Sequence, residues 1–177
     1  MNLYSLLRKR LASGKPVRVG LIGAGKFGSM FLCQAPSTPG LEVAAIADLS
    51  PERAREACRA VGWDDSRIEA TRFTDDAMAM IAASDIEVIV ESTGHPPAGI
   101  AHARQAIRNG KHIVMVNVEA DALAGPLLAR EAEQAGEILP HIHDGAALHV
   151  DDGGQAQPDR GGWPFAQQPL ADRYERL

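Results

Sequence analysis

Val17-Arg18-Val19-Gly20-Leu21-Ile22-Gly23-Ala24-Gly25-Lys26-Phe27-Gly28 is the stretch whose reading decides the fold. The apolar run up to Ile22 predicts a short strand, and the glycines after it predict a tight turn opening into a helix that runs to about Gln34. Each glycine has a physical reason to be there. Gly23 permits the turn, Gly25 has no side chain to keep a ligand off the backbone, and Gly28 lets helix and strand pack closely. A helix starting at Phe27 aims unpaired N–H groups and its positive dipole end at whatever lies over the turn, which suits a phosphate.

Glycine is common, so the pattern needs its frame, and the flanking sequence supplies one. Pro36 and Pro39 stop the first helix,. Leu41–Ala47 reads as a second strand, with Asp48 at its end about 20 residues after Gly28, the usual place for a ribose-binding acid,. Ser50 and Pro51 open a helix that ends at Gly62. Residues 68–73 form a weaker strand candidate. Thr74 is expected to cap a short helix over 75–82, in which Met78, Met80 and Ile81 read as core filler. Residues 86–90 predict a buried strand, 91–96 a loop, 97–109 a helix ended by Gly110, 112–116 a fifth strand, and 121–134 a fifth helix ended by Gly136. Strands and helices alternating at this spacing give right-handed crossovers. The expected fold class is therefore α/β, a Rossmann-type doubly wound parallel sheet spanning residues 17–136.

The flanks differ from this core. Residues 1–16 predict an amphipathic helix with Leu3, Leu6, Leu7 and Leu11 on one face, packed against the domain. Residues 137–177 are rich in Gly, Gln, Asp and Pro with no amphipathic period, and predict an irregular or disordered tail,. Within it, His141, His143 and Asp144 resemble a metal cluster in spacing alone, so no metal site is expected.

Bulk properties narrow the function classes. The 177 residues are 45% hydrophobic but only 5% aromatic, so aliphatic side chains and alanine must fill the core of about one domain,. The formal net charge of −5 gives no general affinity for nucleic acid or an anionic membrane,. No apolar run approaches the ~18 residues that suggest a membrane-spanning helix. The N-terminus does not read as a signal peptide, so a cytoplasmic protein is expected, and a homo-oligomer is compatible with the sequence. Cys33 and Cys58 lack metal-ligand spacing and read as reduced thiols.

An anionic dinucleotide, NAD or NADP, is the ligand that this frame implies. Gly23, Ala24, Gly25, Lys26, Phe27 and Gly28 surround the pyrophosphate position. Lys26 either touches a phosphate or faces water. Asp48 can accept both ribose hydroxyls of NAD and would repel the extra phosphate of NADP, unless its side chain turned away. Arg53 can offset that charge and stack on adenine, or simply be solvated. Ser92, Thr93 and Gly94 follow the fourth strand beside the switch point, where open α/β sheets bind ligands. Asn117 follows the fifth strand and is expected to reach the nicotinamide. His95 and Glu119 are the acid–base candidates. For each, the alternative is an ordinary loop residue.

Three segments together resemble a known family: 17–28, Ile46-Ala47-Asp48-Leu49-Ser50, and Val116-Asn117-Val118-Glu119-Ala120-Asp121-Ala122-Leu123-Ala124-Gly125. They are similar to homoserine-dehydrogenase-like oxidoreductases, and most to the deoxyxylulose-phosphate-reductoisomerase-like group that includes apionate oxidoisomerase. The resemblance implies NAD(P)-dependent reduction or oxidoisomerisation of a small polyol, sugar acid or semialdehyde, with NADPH preferred by several members. Homoserine dehydrogenases carry Asn-Lys after the equivalent strand, where this chain has Asn117-Val118-Glu119. Members also continue into a substrate-binding domain, so a truncation or frameshift near Glu137 is one expected explanation of the tail. The alternatives to an oxidoreductase are a non-catalytic NAD(P)-binding regulatory or redox-sensing module, and an interaction protein on an empty Rossmann scaffold.

Overall fold

The structure is a computed structural model that describes residues 3–136, 148–150 and 156–158. Five parallel strands form one sheet: β1 (Val17–Ile22), β2 (Leu41–Ala47), β3 (Arg72–Thr74), β4 (Val88–Glu91) and β5 (His112–Met115), in the order β3-β2-β1-β4-β5. The chain winds outward from β1 to one edge, then restarts beside β1 at β4. The switch point therefore lies between the C-terminal ends of β1 and β4. The fold is the doubly wound α/β sheet that the alternating pattern implies.

The strands are buried on both sides and alternate between two cores. Leu21, Ile46, Val88 and Val90 meet α2 (Lys26–Gln34), α3 (Pro51–Ala60) and α4 (Asp65–Ala70). Ile22, Ile89, Ile113 and Met115 meet α5 (Ala77–Ala82), α6 (Pro96–Arg108) and α7 (Val118–Ala135). Small alanines on the helices (Ala54, Ala103, Ala106, Ala129, Ala132) are buried against bulky strand residues. That complementarity is how a chain poor in aromatics closes its core.

Several elements depart from the sequence reading. Ile68, placed in a strand candidate, is a buried residue of α4, because Asp64 caps that helix by accepting from the Arg67 N–H at 2.8 Å. The α5 cap is Asp76, which accepts from the Ala79 N–H at 2.8 Å; Thr74 instead holds Asp76 in place. Met80 and Ile81 fill the core, but Met78 is exposed. The last helix starts at Val118, with Asn117 as its cap, so Glu119 stands in a first helical turn and not in a loop. Glu91 is the last residue of β4 and not the first of a loop.

The N-terminal helix α1 (Leu3–Ala12) is joined to the domain through Leu7 and Arg10. Leu7 packs on the core, whereas Leu11 is exposed. Arg10 Nη2 donates to both Glu87 carboxylate oxygens at 2.7 Å, and its Nε donates to the Lys15 carbonyl at 2.6 Å. Gly40, at φ +82°, lets the α1 backbone approach: a Cβ there would lie 2.0 Å from the Leu7 carbonyl oxygen. In the tail, Leu148–Val150 and Ala156–Pro158 (β6 and β7) pair antiparallel, a feature with no advance sign in the sequence. The rest of the irregular-tail reading, with His141, His143 and Asp144, lies outside the described residues. Among the described residues, no helix is long and apolar enough to cross a membrane.

Candidate functional site

The glycine turn is bonded from three directions. The Gly23 N–H donates to the Ala47 carbonyl of β2 at 2.8 Å. The Ala24 N–H donates to Asp48 Oδ2 at 2.9 Å. From the other side, Ser92 Oγ donates to the Gly23 carbonyl at 2.7 Å and lies 3.0 Å from that of Ile22. Gly23 adopts φ +90°, which favours glycine, and a Cβ on Gly28 would sit 2.1 Å from the Gly23 oxygen,. At Gly25 a Cβ would meet nothing within 4 Å. Two glycines thus serve the fold, while Gly25 keeps the outer surface of the turn open.

The first turn of α2 is suited to an anion. Gly25 is its cap and offers no side-chain acceptor. No acidic residue occupies the first turn; Lys26 stands there instead. By contrast, α3, α4 and α7 begin with Ser50, Asp64 and Asn117 accepting from their own first-turn N–H groups, and each has an acid in that turn. A positive dipole end with a cation beside it and no internal acceptor is stabilised by an external anion such as a pyrophosphate. The geometry fits a dinucleotide.

Asp48 lies at the end of β2, and both its oxygens already accept backbone hydrogen bonds, Oδ1 from Ser50 at 3.0 Å and Oδ2 from Ala24 at 2.9 Å. Each oxygen keeps a further acceptor site for a ribose hydroxyl. The two bonds also fix the carboxylate in place, so it cannot turn aside without breaking them. Arg53 is exposed in the first turn of α3, and Phe27 is exposed at the start of α2.

Across the switch point, the β4–α6 and β5–α7 turns meet. Thr93 Oγ1 lies 2.6 Å from Glu91 Oε1 and donates to it. Its proton is thereby used, so it accepts from the His95 N–H at 3.3 Å and from Asn117 Nδ2 at 3.4 Å,. Asn117 is 1% exposed, and its Oδ1 caps α7 by accepting from the Ala120 N–H at 3.1 Å. His95 caps α6, its Nδ1 accepting from the Ala98 N–H at 3.3 Å. Thr93, Gly94, His95 and Glu119 are all exposed. Gly94, at φ +68°, makes the bend between them.

Beneath these turns lies what the sequence reading missed. Glu91 is fully buried; its Oε1 also accepts from the Thr93 N–H at 3.3 Å and lies 3.3 Å from Nδ1 of the buried His102. Among the described residues, its Oε2 has no hydrogen-bond partner. A buried acceptor left in that state costs about 1–3 kcal/mol. Gly99, inside α6, allows the approach: a Cβ there would be 2.8 Å from Asn117 Nδ2 and 3.1 Å from Glu91 Oε2. The available signals were the glycine within a helical pattern and His102 one turn beyond it on the same face.

All fourteen residues singled out from sequence thus cluster at the C-terminal ends of β1, β2, β4 and β5 or in the turns and first helical turns that follow them. A shallow depression lined by Arg10, Lys15, Arg18, Glu42 and Glu87 lies at the other end of the sheet. It contains none of these groups. Among the described residues, no His, Cys, Asp and Glu side chains group to hold a metal ion.

Residues 17–116 match the oxidoreductase family with an NAD-binding Rossmann fold, GFO/IDH/MocA. Homoserine dehydrogenase from Neisseria gonorrhoeae is 28% identical over 134 residues, covering 71% of this chain and 28% of the relative. 1-Deoxy-D-xylulose 5-phosphate reductoisomerase from Thermus thermophilus is 39% identical over 97 residues, covering 50% of this chain and 26% of the relative. The structure of myo-inositol dehydrogenase from Lactobacillus casei, in complex with NAD(H) and myo-inositol, superposes with a TM-score of 0.60 at 21% identity, over 72% of this chain and 36% of that one. The chain spans roughly a quarter of the length of the two curated relatives.

Proposed function

We propose, from the premise that this chain belongs to the GFO/IDH/MocA oxidoreductase family with its NAD-binding Rossmann fold, that residues 17–136 hold a nicotinamide dinucleotide across the C-terminal ends of the strands. The observation that carries this reading is the first turn of α2, free of acids and of any side-chain cap, above the open surface of Gly25 at the switch point of the sheet. The pyrophosphate lies over Gly23 to Gly28, with Lys26 beside it. Asp48 takes the adenosine ribose, and Arg53 flanks the adenine. Ser92 braces the turn, while Thr93 and Gly94 face the nicotinamide half; Asn117, expected to reach the nicotinamide, is buried and supports Thr93 from beneath.

When bound, the nicotinamide supplies or accepts a hydride at a carbonyl or alcohol carbon. The substrate we propose is a small polyol, sugar acid or semialdehyde, supported by the enzyme names among the relatives and by the segment from Val116 to Gly125. That segment also supports a place near the deoxyxylulose-phosphate-reductoisomerase-like group. Glu119 and His95, both exposed at this edge, are the candidates to move the proton that accompanies the hydride. His95 can do so only through Nε2, because Nδ1 is engaged in the cap.

NAD is favoured over NADP, because Asp48 is fixed by two backbone N–H groups where the additional phosphate would lie,. Separate titrations with NADH and NADPH, followed by nicotinamide fluorescence, test both points. Micromolar NADH binding, about tenfold or more tighter than NADPH, is expected. No binding of either would defeat the proposal, and tighter NADPH binding would reverse the assignment of Asp48. Binding without oxidation across a panel of sugar acids and semialdehydes would favour a non-catalytic cofactor-binding module.

A further inference from the structure

We infer that Glu91 is a positioning residue for the nicotinamide half of the cofactor, acting through the hydroxyl of Thr93 and the amide of Asn117. The inference rests on the cofactor reading above and concerns a buried side chain that no proposed ligand contact includes. The other residues of β4, Val88, Ile89 and Val90, are aliphatic and buried in the two cores. These aliphatic neighbours call for no carboxylate, and among the described residues one of its oxygens has no partner. A buried polar group that breaks the local packing rule needs an explanation other than the stability of the strand.

The explanation lies in what the other oxygen does. Glu91 Oε1 accepts the Thr93 hydroxyl proton at 2.6 Å, and so decides which way that hydroxyl points. With its proton committed inward, Thr93 Oγ1 presents lone pairs to the His95 N–H and to Asn117 Nδ2. Asn117 is in turn oriented by the Ala120 N–H, so its amide cannot flip without uncapping α7. One carboxylate oxygen therefore ties the β4–α6 turn to the β5–α7 turn. His102, buried on α6 at 3.3 Å from the same oxygen, holds the carboxylate from behind. Among the described residues, the hydrogen bonds around Asp48 and the glycine turn use no side chain of the relay; Ser92, between Glu91 and Thr93, braces the Gly23 carbonyl through its own hydroxyl. The link should therefore affect one end of the dinucleotide and not the other.

The test compares NADH, which has both halves, with ADP, which has only the adenosine diphosphate half and is read by displacement of NADH. Glu91→Leu and Thr93→Val break the relay at different atoms with side chains of similar size. Each is expected to weaken NADH about tenfold, the loss of one directed hydrogen bond, with ADP changed by less than about twofold. Because both act on one link, the double variant should be no weaker than the worse single one. Glu91→Gln keeps an oxygen for Thr93 and is expected to stay within about threefold of wild type. Unchanged NADH affinity in both single variants would overturn the inference, as would equal loss of NADH and ADP, or additive losses. If Glu91→Leu does not fold, Glu91→Met takes its place with the same expected losses, because Thr93 itself faces the proposed ligand and Thr93→Val does not decide alone. Failure of the wild-type chain to bind either ligand would overturn the cofactor reading itself and the inference with it.

Discussion

At Gly28 an added methyl group would sit 2.1 Å from a backbone carbonyl, whereas at Gly25 it would meet nothing. These two residues, three apart in one motif, thus have different reasons to be glycine. Gly28→Ala forces the turn away from α2 and is expected to lower stability by about 1–3 kcal/mol, as overpacking does, in urea denaturation. No stability change in Gly28→Ala would contradict the packing seen here. That the candidate residues gather at the strand ends was legible from sequence, because glycine, aspartate and strand ends carry strong positional meaning. Glu91 was not, since a carboxylate after Ile-Val reads as the start of a loop. Only the tertiary approach of α6 and α7 shows that it is buried.

Helices and strands long enough to show a period could be read directly, and β1, β2 and α3 lie within a residue or so of where their pattern put them. The misplacements fell where caps compete. Asp64 starts α4 where residues 68–73 look like one strand, and Asn117 starts α7 three residues before the acidic, alanine-rich run that looks helical. A side chain that accepts a first-turn N–H settles such contests, and its partner is a distance that sequence does not display. Two helices approach closely at Gly99, where α6 passes Asn117 and Ala120 of the α7 N-terminus. Gly99→Ala adds helix propensity of about 1 kcal/mol but displaces the Asn117 amide. We expect net destabilisation in thermal unfolding and weaker NADH binding. A stabilised variant with normal NADH binding would show that the two helices can separate freely.

Across the molecule, chemistry and charge lie at opposite ends of the sheet. The C-terminal ends carry the glycine turn and the Thr93–Asn117 relay, and the N-terminal ends carry Arg10–Glu87, Arg18–Glu42, Arg18–Asp85 and Arg72–Asp85. At Asp85 partial burial opposes ionisation, but hydrogen bonds from Arg72 and Arg18 outweigh it and hold the carboxyl below its ordinary range. A depressed folded value stabilises the protein above the unfolded value and ceases to do so as pH falls through the folded one. Melting temperature should therefore drop below about pH 4, and less steeply in Asp85→Asn. The effect is small, because exposed pairs of this kind contribute about 0–1 kcal/mol each. An identical acid profile in Asp85→Asn would remove that carboxyl from the explanation. The claim that a dinucleotide lies over the glycine turn is tested most directly by Gly25→Asp. The new side chain enters open space, so the variant should melt with wild type, and its charge occupies the pyrophosphate position, so NADH binding should disappear. A folded Gly25→Asp chain that bound NADH as tightly as wild type would contradict the placement of the cofactor.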